Sequence, residues 1–161
     1  MYRIIGLVVV AIVTSLVTAS AHAAGPVRER VPIDETFTFD DCGFVVEEHD
    51  VFTLQFTSWY DASGNRLRQL VTAPGARITY TNPATGASVT AANPFVVHKR
   101  DNPDGSATIA FTGLVFAIQG GGHLYVDSGR DLIVFSPPDV EVLSSSGPSD
   151  DLCEALAAAL T

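Results

Sequence analysis

Alternation of apolar and polar side chains is the clearest pattern in this chain, and it is strongest over residues 51–60. Every second residue from Phe52 to Phe56 is apolar, and the residues between them are polar. A period of two residues is typical of a half-buried β-strand. Residues 61–65 then supply the Asp, Ser, Gly and Asn that favour a turn, and a shorter alternation follows over 66–72. The pattern predicts a β-hairpin over 51–72.

Two longer apolar runs, 108–118 and 123–135, flank three consecutive glycines at 120–122. Consecutive glycines supply positive φ angles and weaken a helix, so they predict a tight hairpin turn. The apolar positions change parity near Gly113, which predicts a β-bulge, because a slip of one residue reverses the faces of a strand. A strand buried on both faces is the alternative. We expect this hairpin to form the centre of an antiparallel sheet.

Short strand-like segments and turns alternate through the rest of the chain. Pro or Gly occupies turn positions around residues 74–75, 82–86, 93–94 and 101–105. Strands this close in sequence usually pair with their neighbours. The expected fold class is all-β: an antiparallel meander of about eight to ten strands that closes as a barrel, with a two-layer sandwich as the alternative.

The C-terminal residues 150–160 differ from the rest because their apolar positions recur at helical spacing. Leu152, Leu156 and Leu160 form one stripe, and two aspartates precede them. Acidic residues are favourable at the positive end of a helix dipole. This segment is therefore predicted to be a short α-helix that packs on the sheet.

The N-terminal segment is apolar over residues 4–17 and continues into the small-residue pattern Ala21-His22-Ala23. It predicts a signal helix, with residues 1–23 removed as a secretory signal peptide; an uncleaved anchor is the alternative. Residues 24–34 combine prolines and charges without periodicity and are expected to form a flexible leader. Residues 35–161 would then be a single β domain in a secreted, extracellular protein.

Cys42 and Cys153 are the two cysteines of the chain. An even number of cysteines in an exported protein predicts a disulfide, and two cysteines allow one pairing. A nucleophilic or metal-binding cysteine is the alternative, but neither cysteine has CxxC or Cys/His spacing around it. We therefore predict a bond between Cys42 and Cys153 that joins the first strand region to the C-terminal helix.

The charge balance is strongly acidic, with 18 Asp and Glu against 9 Lys and Arg and a formal net charge of -9. Such a charge repels phosphate backbones and anionic lipid heads. Neither nucleic acid nor, after signal cleavage, a membrane is therefore an expected partner. The simpler alternative is that the charge serves solubility alone.

Several turn and cysteine motifs follow one another in an order that resembles a known family. They are Cys42-Gly43-Phe44, Thr81-Asn82-Pro83 with Thr85-Gly86, Asp104-Gly105-Ser106, and Asp151 with Cys153, Ala155 and Leu156. In this order they are similar to a family of small exported β-rich proteins of actinobacteria with no assigned function. The resemblance covers nearly the whole mature chain and implies an exported β-fold. It implies no catalytic residues.

The sequence contains no clear catalytic or metal-binding signature. His49, His98 and His123 lack the spacing of a zinc site, and the Asp-rich segments lack that of a calcium loop. We expect no metal and no cofactor. Aromatic side chains with polar tips often line apolar pockets, and four residues are the candidates for ligand binding. These candidates are Trp59, Tyr80, His98 and Tyr125.

Two functions remain open from the sequence. The first is a secreted, non-catalytic β-barrel module that binds a small hydrophobic ligand or a protein partner, for example at a cell surface. The alternative is a small-barrel enzyme of the cyclase or isomerase type, which would use His98 or His123 with a carboxylate. The first is favoured because the sequence contains no recognisable nucleophile–base motif.

Overall fold

The computed structural model describes residues 25–161, so the predicted signal peptide, residues 1–23, lies outside the described residues. Nine β-strands and one C-terminal helix make up this part of the chain. They are β1 (Val27–Phe39), β2 (Val46–Tyr60), β3 (Arg66–Ala73), β4 (Arg77–Thr81), β5 (Ser88–Ala92), β6 (Phe95–Asp101), β7 (Ala107–Gly120), β8 (His123–Ser136), β9 (Asp139–Ser146) and α1 (Leu152–Leu160). The predicted all-β, antiparallel fold with a short terminal helix is confirmed.

The strands form one antiparallel sheet, but β3 does not pair with β4 and β5 does not pair with β6, so the predicted meander is found only in part. β2 is long enough to pair with β3 along its C-terminal half and with β4 along its N-terminal half. β6 pairs with β3, and β5 pairs with β4. β3 and β4 therefore lie end to end beside β2, with a short turn between them. β5 and β6 lie end to end in the same way on the far side of β4 and β3. The rest of the sheet continues through β7 and β8 to β9.

The sheet is curved, but its described strand pairings do not close it into a barrel. Among the described residues, β1 pairs with β2 and β9 pairs with β8, and no ladder joins β9 to β1. One hydrophobic cluster nevertheless collects side chains from β1, β2, β3, β6, β7 and β8. Strands from opposite ends of the sheet can share a cluster when the sheet bends around it. Among the described strands, β1, β5 and β9 therefore each have one edge without a ladder partner.

Residues 27–34, predicted as part of a flexible leader, instead form the first half of β1, so the leader prediction is wrong there. β1 pairs with β2 without interruption from Val27, opposite Ser58, to Phe39, opposite Val46. Pro32 is compatible with this position because β1 is an edge strand, where a missing N–H group costs no ladder bond. The strand was not predicted because the consecutive charged residues 28–30 and 34–35 interrupt its hydrophobic periodicity.

The central hairpin of β7 and β8 has the predicted turn and the predicted irregularity. Gly121 and Gly122 take positive φ angles of 57° and 83° and connect the two strands. The register shifts between Leu114 and Phe116, next to Gly113. A Cβ atom at Gly113 would lie 2.6 Å from the carbonyl oxygen of Pro94, so close packing also requires glycine there. The bulge returns the apolar side chains after it to the same face.

The two faces of the sheet differ sharply in what they carry. We call the face that carries Leu54 the inner face and the face that carries Trp59 the outer face; side chains alternate between them along each strand. Two hydrophobic clusters fill the inner face. The first includes Leu54, Phe56, Val71, Val97, Ile109 and Ile133. The second lies under α1 and includes Val46, Ile78, Tyr80, Phe116, Ile118, Leu156 and Leu160.

Helix α1 is held on the inner face by a cap, a disulfide and close backbone contact. The Asp151 side chain caps the helix by accepting a hydrogen bond from the Glu154 backbone N–H at 3.0 Å. Cys42 and Cys153 form the predicted disulfide, with an S–S distance of 2.01 Å and Cα atoms 4.9 Å apart. A Cβ atom at Gly120 would lie 2.7 Å from the carbonyl carbon of Ala158, so β7 and the helix are in direct contact.

Candidate functional site

The four residues predicted to bind a ligand do not converge on one site. Trp59 and His98 lie on the outer face, because each is an odd number of residues from an inward side chain of its strand. Tyr80 and Tyr125 lie on the inner face within the second cluster. Two surface depressions, of about 280 and 420 Å³, touch neither tyrosine. The inner face around these tyrosines is occupied by packed side chains.

Tyr80 is part of the core. It is 1% exposed, and burial, together with the charges of Glu48 and Asp50, raises the pKa of its phenol far above the ordinary value. Tyr125 is partly buried beside the same cluster, and its ring meets that of His123 edge to face, with centroids 4.7 Å apart. Both side chains therefore contribute to packing.

Trp59 lies beside a group of basic residues on the outer face. The Arg68 guanidinium stacks over the indole ring at 4.2 Å from its centroid. Arg68 is paired directly across strands with Arg100, and His98 precedes Arg100 on the same face of β6. We call Trp59, Arg68, His98 and Arg100 the Arg68 cluster. Arg68, His98 and Arg100 are exposed.

Charge is divided between the two faces of the sheet. The described residues contain eight Lys and Arg side chains, because Arg3 lies outside them. The strand registers place six of them on the outer face, namely Arg28, Arg30, Arg68, Arg77, Arg100 and Arg130. The inner face carries seven strand carboxylates, namely Glu29, Glu35, Glu48, Asp50, Asp101, Asp127 and Asp131. The outer face also carries four strand carboxylates, namely Asp34, Glu47, Asp139 and Glu141. A protein with a strongly negative net charge thus has one face with an excess of basic side chains.

A pair of carboxyl groups, Glu48 and Asp50, lies on the inner face of β2. Glu48 is 8% exposed, and burial raises its pKa to about 7, with further contributions from the Asp50 charge and their shared hydrogen bond. Burial and the charge of Glu35 raise the pKa of Asp50 to about 6, against the opposing effects of His49 and Glu48. Oδ1 of Asp50 is buried and has no hydrogen-bond partner within residues 25–161.

A second ionic group, formed by Arg66, Lys99 and Asp101, lies at the other end of the inner face. Arg66 Nε lies 2.7 Å from one carboxylate oxygen of Asp101, and Lys99 Nζ lies 3.2 Å from the other. Burial and the neighbouring charge of Arg66 lower the pKa of Lys99 although Asp101 opposes the shift. These contacts leave Arg66 and Lys99 committed to Asp101 and separate from the outer-face arginines.

The histidines do not form a catalytic group with a carboxylate in a cavity. His98 and His123 are exposed on β6 and at the start of β8. The described His–carboxylate contact is instead His49 Nε2 with Asp34 Oδ1 at 2.8 Å, on the solvent-exposed outer face. Within residues 25–161, no group of three or more His, Cys, Asp or Glu side chains has the geometry of a metal site. No helix in this part of the chain is long and apolar enough to cross a membrane.

Sequence reasoning missed the Arg68 cluster and the carboxyl pair for different reasons. The cluster joins residues from three strands, and its existence depends on the register between them. The carboxyl pair could have been predicted, because Glu48 and Asp50 continue the alternation that runs through Phe52. Two acids in phase with an inward-facing strand indicate buried carboxyl groups.

No protein-family model matches the chain, and no curated protein or solved structure is significantly similar to it.

Proposed function

We propose that this protein is an exported, non-catalytic binding module that holds an anionic partner on the outer face of its sheet. The observation that carries the proposal is the concentration of arginines on one face of a chain whose net charge is -9. Export rests on the signal-peptide pattern of residues 1–23 and agrees with the Cys42–Cys153 disulfide. Closure of the sheet into a barrel by pairing of β1 with β9 remains a separate proposal that this function does not require.

The Arg68–Arg100 pairing supports a binding role. Like charges directly opposite each other on neighbouring strands destabilise a sheet. The nearest carboxylates along the chain are engaged elsewhere, since Asp101 binds Arg66 and Lys99 and Asp61 accepts backbone hydrogen bonds within its turn. An anion bound between the two guanidinium groups would relieve their repulsion. An anionic partner would therefore explain why arginines occupy both of these paired positions.

The packed inner face supports a surface function over an internal ligand. Leu54, Phe56 and Val71 are at most 4% exposed and pack against one another in the first cluster. Tyr80 and the helix occupy the opposite end. A small hydrophobic ligand would have to displace these side chains, which would cost several kcal/mol of packing and transfer free energy. The outer face requires no such rearrangement.

Chromatography on a sulfonate cation-exchange matrix at neutral pH tests the proposal. A chain of such negative charge should flow through unless a local basic surface binds the matrix. We expect the wild-type protein to be retained and released by salt. The double variant Arg68→Glu/Arg100→Glu should pass through the column.

The matched control is Arg77→Glu/Arg130→Glu, which makes the same charge change on the same face but on β4 and β8. We expect it to keep most of the retention. Flow-through of the wild type, or equal loss of retention in both double variants, would overturn the proposal. Circular dichroism of each variant confirms that it is folded.

A further inference from the structure

We infer that the anionic partner is a linear acidic polysaccharide that lies across β1, β2, β3 and β6 on the outer face. This inference rests on the proposed function and adds the chemical class of the partner. It is drawn from the spacing of the cations, the polar surface between them, and the way in which Arg68 is held.

The cations on these four strands form two separated groups. Arg28 and Arg30 lie on β1, and Arg68 and Arg100 lie on β3 and β6. Two inter-strand spacings separate β1 from β3 and three separate β1 from β6, which is roughly 10 to 14 Å. A polymer that carries one acidic group every few ångströms would not match this spacing, whereas a chain with uncharged units between its acidic groups would.

The surface between the two groups suits hydroxyl-bearing units. Thr57 is paired with Arg28 on one side and Leu70 on the other, and the next row contains Gln55 and Thr72. These threonine and glutamine side chains offer both hydrogen-bond donors and acceptors. Sugar rings between two acidic groups would therefore contact polar partners.

A shallow depression of about 280 Å³ provides a place for one acidic sugar. It is lined by Arg28, Glu29, Arg30, Gln55, Phe56 and Thr57. Its two arginines are exposed, whereas Glu29 and Phe56 belong to the inner face of the same strands. The depression is thus continuous with the polar row between the cationic groups.

The stacking of Arg68 on Trp59 prepares the other end of this surface for a carboxylate or sulfate group. A planar guanidinium binds such groups through two parallel hydrogen bonds. The indole ring 4.2 Å from the Arg68 guanidinium restricts its motion before binding. A restricted side chain loses less conformational entropy when the anion binds. Lysine at this position would keep the charge and lose both the stacking and the paired hydrogen bonds.

Other classes of anionic partner fit the face less well. Protein interfaces usually have an apolar centre with aromatic anchors, but here Arg68 covers the Trp59 ring and Leu70 is the one aliphatic side chain in an otherwise polar surface between the cations. Double-stranded DNA carries a charge about every 1.7 Å along its axis, which is far denser than the spacing between the two cationic groups.

Binding should be measured by biolayer interferometry against immobilised hyaluronan, whose carboxylates alternate with uncharged sugars, polygalacturonate, which has a carboxylate on every sugar, and neutral dextran. We expect the protein to bind hyaluronan more tightly than polygalacturonate, to ignore dextran, and to bind less tightly as salt is raised. Arg68→Glu/Arg100→Glu should weaken binding by at least about tenfold, and Arg68→Lys by roughly threefold. The Arg77→Glu/Arg130→Glu control should stay within about threefold of wild type.

Phosphatidylglycerol vesicles and an oligothymidylate are tested in the same way, because they represent the two other classes of anionic partner, lipid surfaces and nucleic acid. Retention on the sulfonate matrix without binding to either polysaccharide would overturn this inference and leave the proposed function standing. Tighter binding to vesicles or to the oligonucleotide than to the polysaccharides would also overturn it. Loss of both retention and binding would overturn the inference and the proposed function together.

Discussion

Among single residues, Glu48 has the most direct effect on how the fold responds to pH. Burial raises its pKa from 4.5 to about 7, and the pKa of Asp50 rises from 3.8 to about 6. The folded protein therefore holds more protons than the unfolded chain between about pH 4 and pH 7. Because both values are raised, the stability from these groups is fully present at acidic pH and is lost as pH increases through this range.

We expect Glu48→Gln to remove much of this loss, because an amide resembles the protonated acid and can still donate to Asp50. The groups around it are Asp50 on β2, Glu35 on β1, Tyr80 on β4 and His49. Urea unfolding should give equal stability for the two proteins near pH 4. Above pH 7.5 the variant should be more stable by about 2 kcal/mol.

The control is Glu47→Gln, on the exposed outer side of the same strand. It removes one charge without touching the pair, and its stability should follow the wild-type curve. Asp61, Asp101 and Asp104 have lowered pKa values and shift stability in the opposite direction, but they are shared by all three proteins. Parallel curves for Glu48→Gln and wild type would contradict the prediction.

At the scale of elements, contact between β7 and α1 depends on the absence of a side chain at Gly120. A Cβ atom there would lie 2.7 Å from Ala158 backbone, so Gly120→Ala must displace the helix. We expect a loss of about 1–3 kcal/mol in the free energy of unfolding. Gly75→Ala is the control, because nothing lies within 4 Å of its added Cβ and its φ is negative. Equal stabilities for the two variants in urea unfolding would exclude this contact.

The same helix should be the first element to loosen when the disulfide is removed. A nine-residue helix is not stable alone in water, and its docking is fixed by the Cys42–Cys153 bond. In Cys42→Ser/Cys153→Ser we expect hydrogen exchange to accelerate first over residues 152–160. The free energy of unfolding should fall by about 4 kcal/mol, because the bond closes a long loop. A uniform increase in exchange across all strands would show that the helix is not the weakest element.

Local pattern was sufficient for some elements and insufficient for others. Three features could be predicted because each depends on residues that are close together in the sequence. They are the Gly120–Gly122 turn, the parity change near Gly113 and the helix over Leu152–Leu160. The first half of β1 was missed because an edge strand tolerates proline and exposed charges. β3 and β4 lie end to end because both pair with β2, and the local pattern of neither strand indicates this shared partner.

At the scale of the whole molecule, net charge was a poor guide to the surface. A net charge of -9 predicts repulsion from anions, yet strand pairing places six arginines on one face. Arg68 and Arg100 are 32 positions apart in the sequence and meet because β3 pairs with β6. Neither the composition nor the local alternation contains that register. Partner class therefore depends on how charge is distributed by the topology.

The position of the cross-link also determines how the molecule would bear tension. A force applied at Gly25 and Thr161 reaches Cys42 from one side and Cys153 from the other, and the covalent bond carries it between them. The strands from β2 to β9 lie within the closed loop and remain unloaded. The segments outside the loop, which include β1 and most of α1, could extend by about 90 Å at most, against roughly 450 Å for the reduced chain. The strands that carry Arg68, Arg77, Arg100 and Arg130 are thus mechanically shielded by one bond, whereas β1, with Arg28 and Arg30, bears the load.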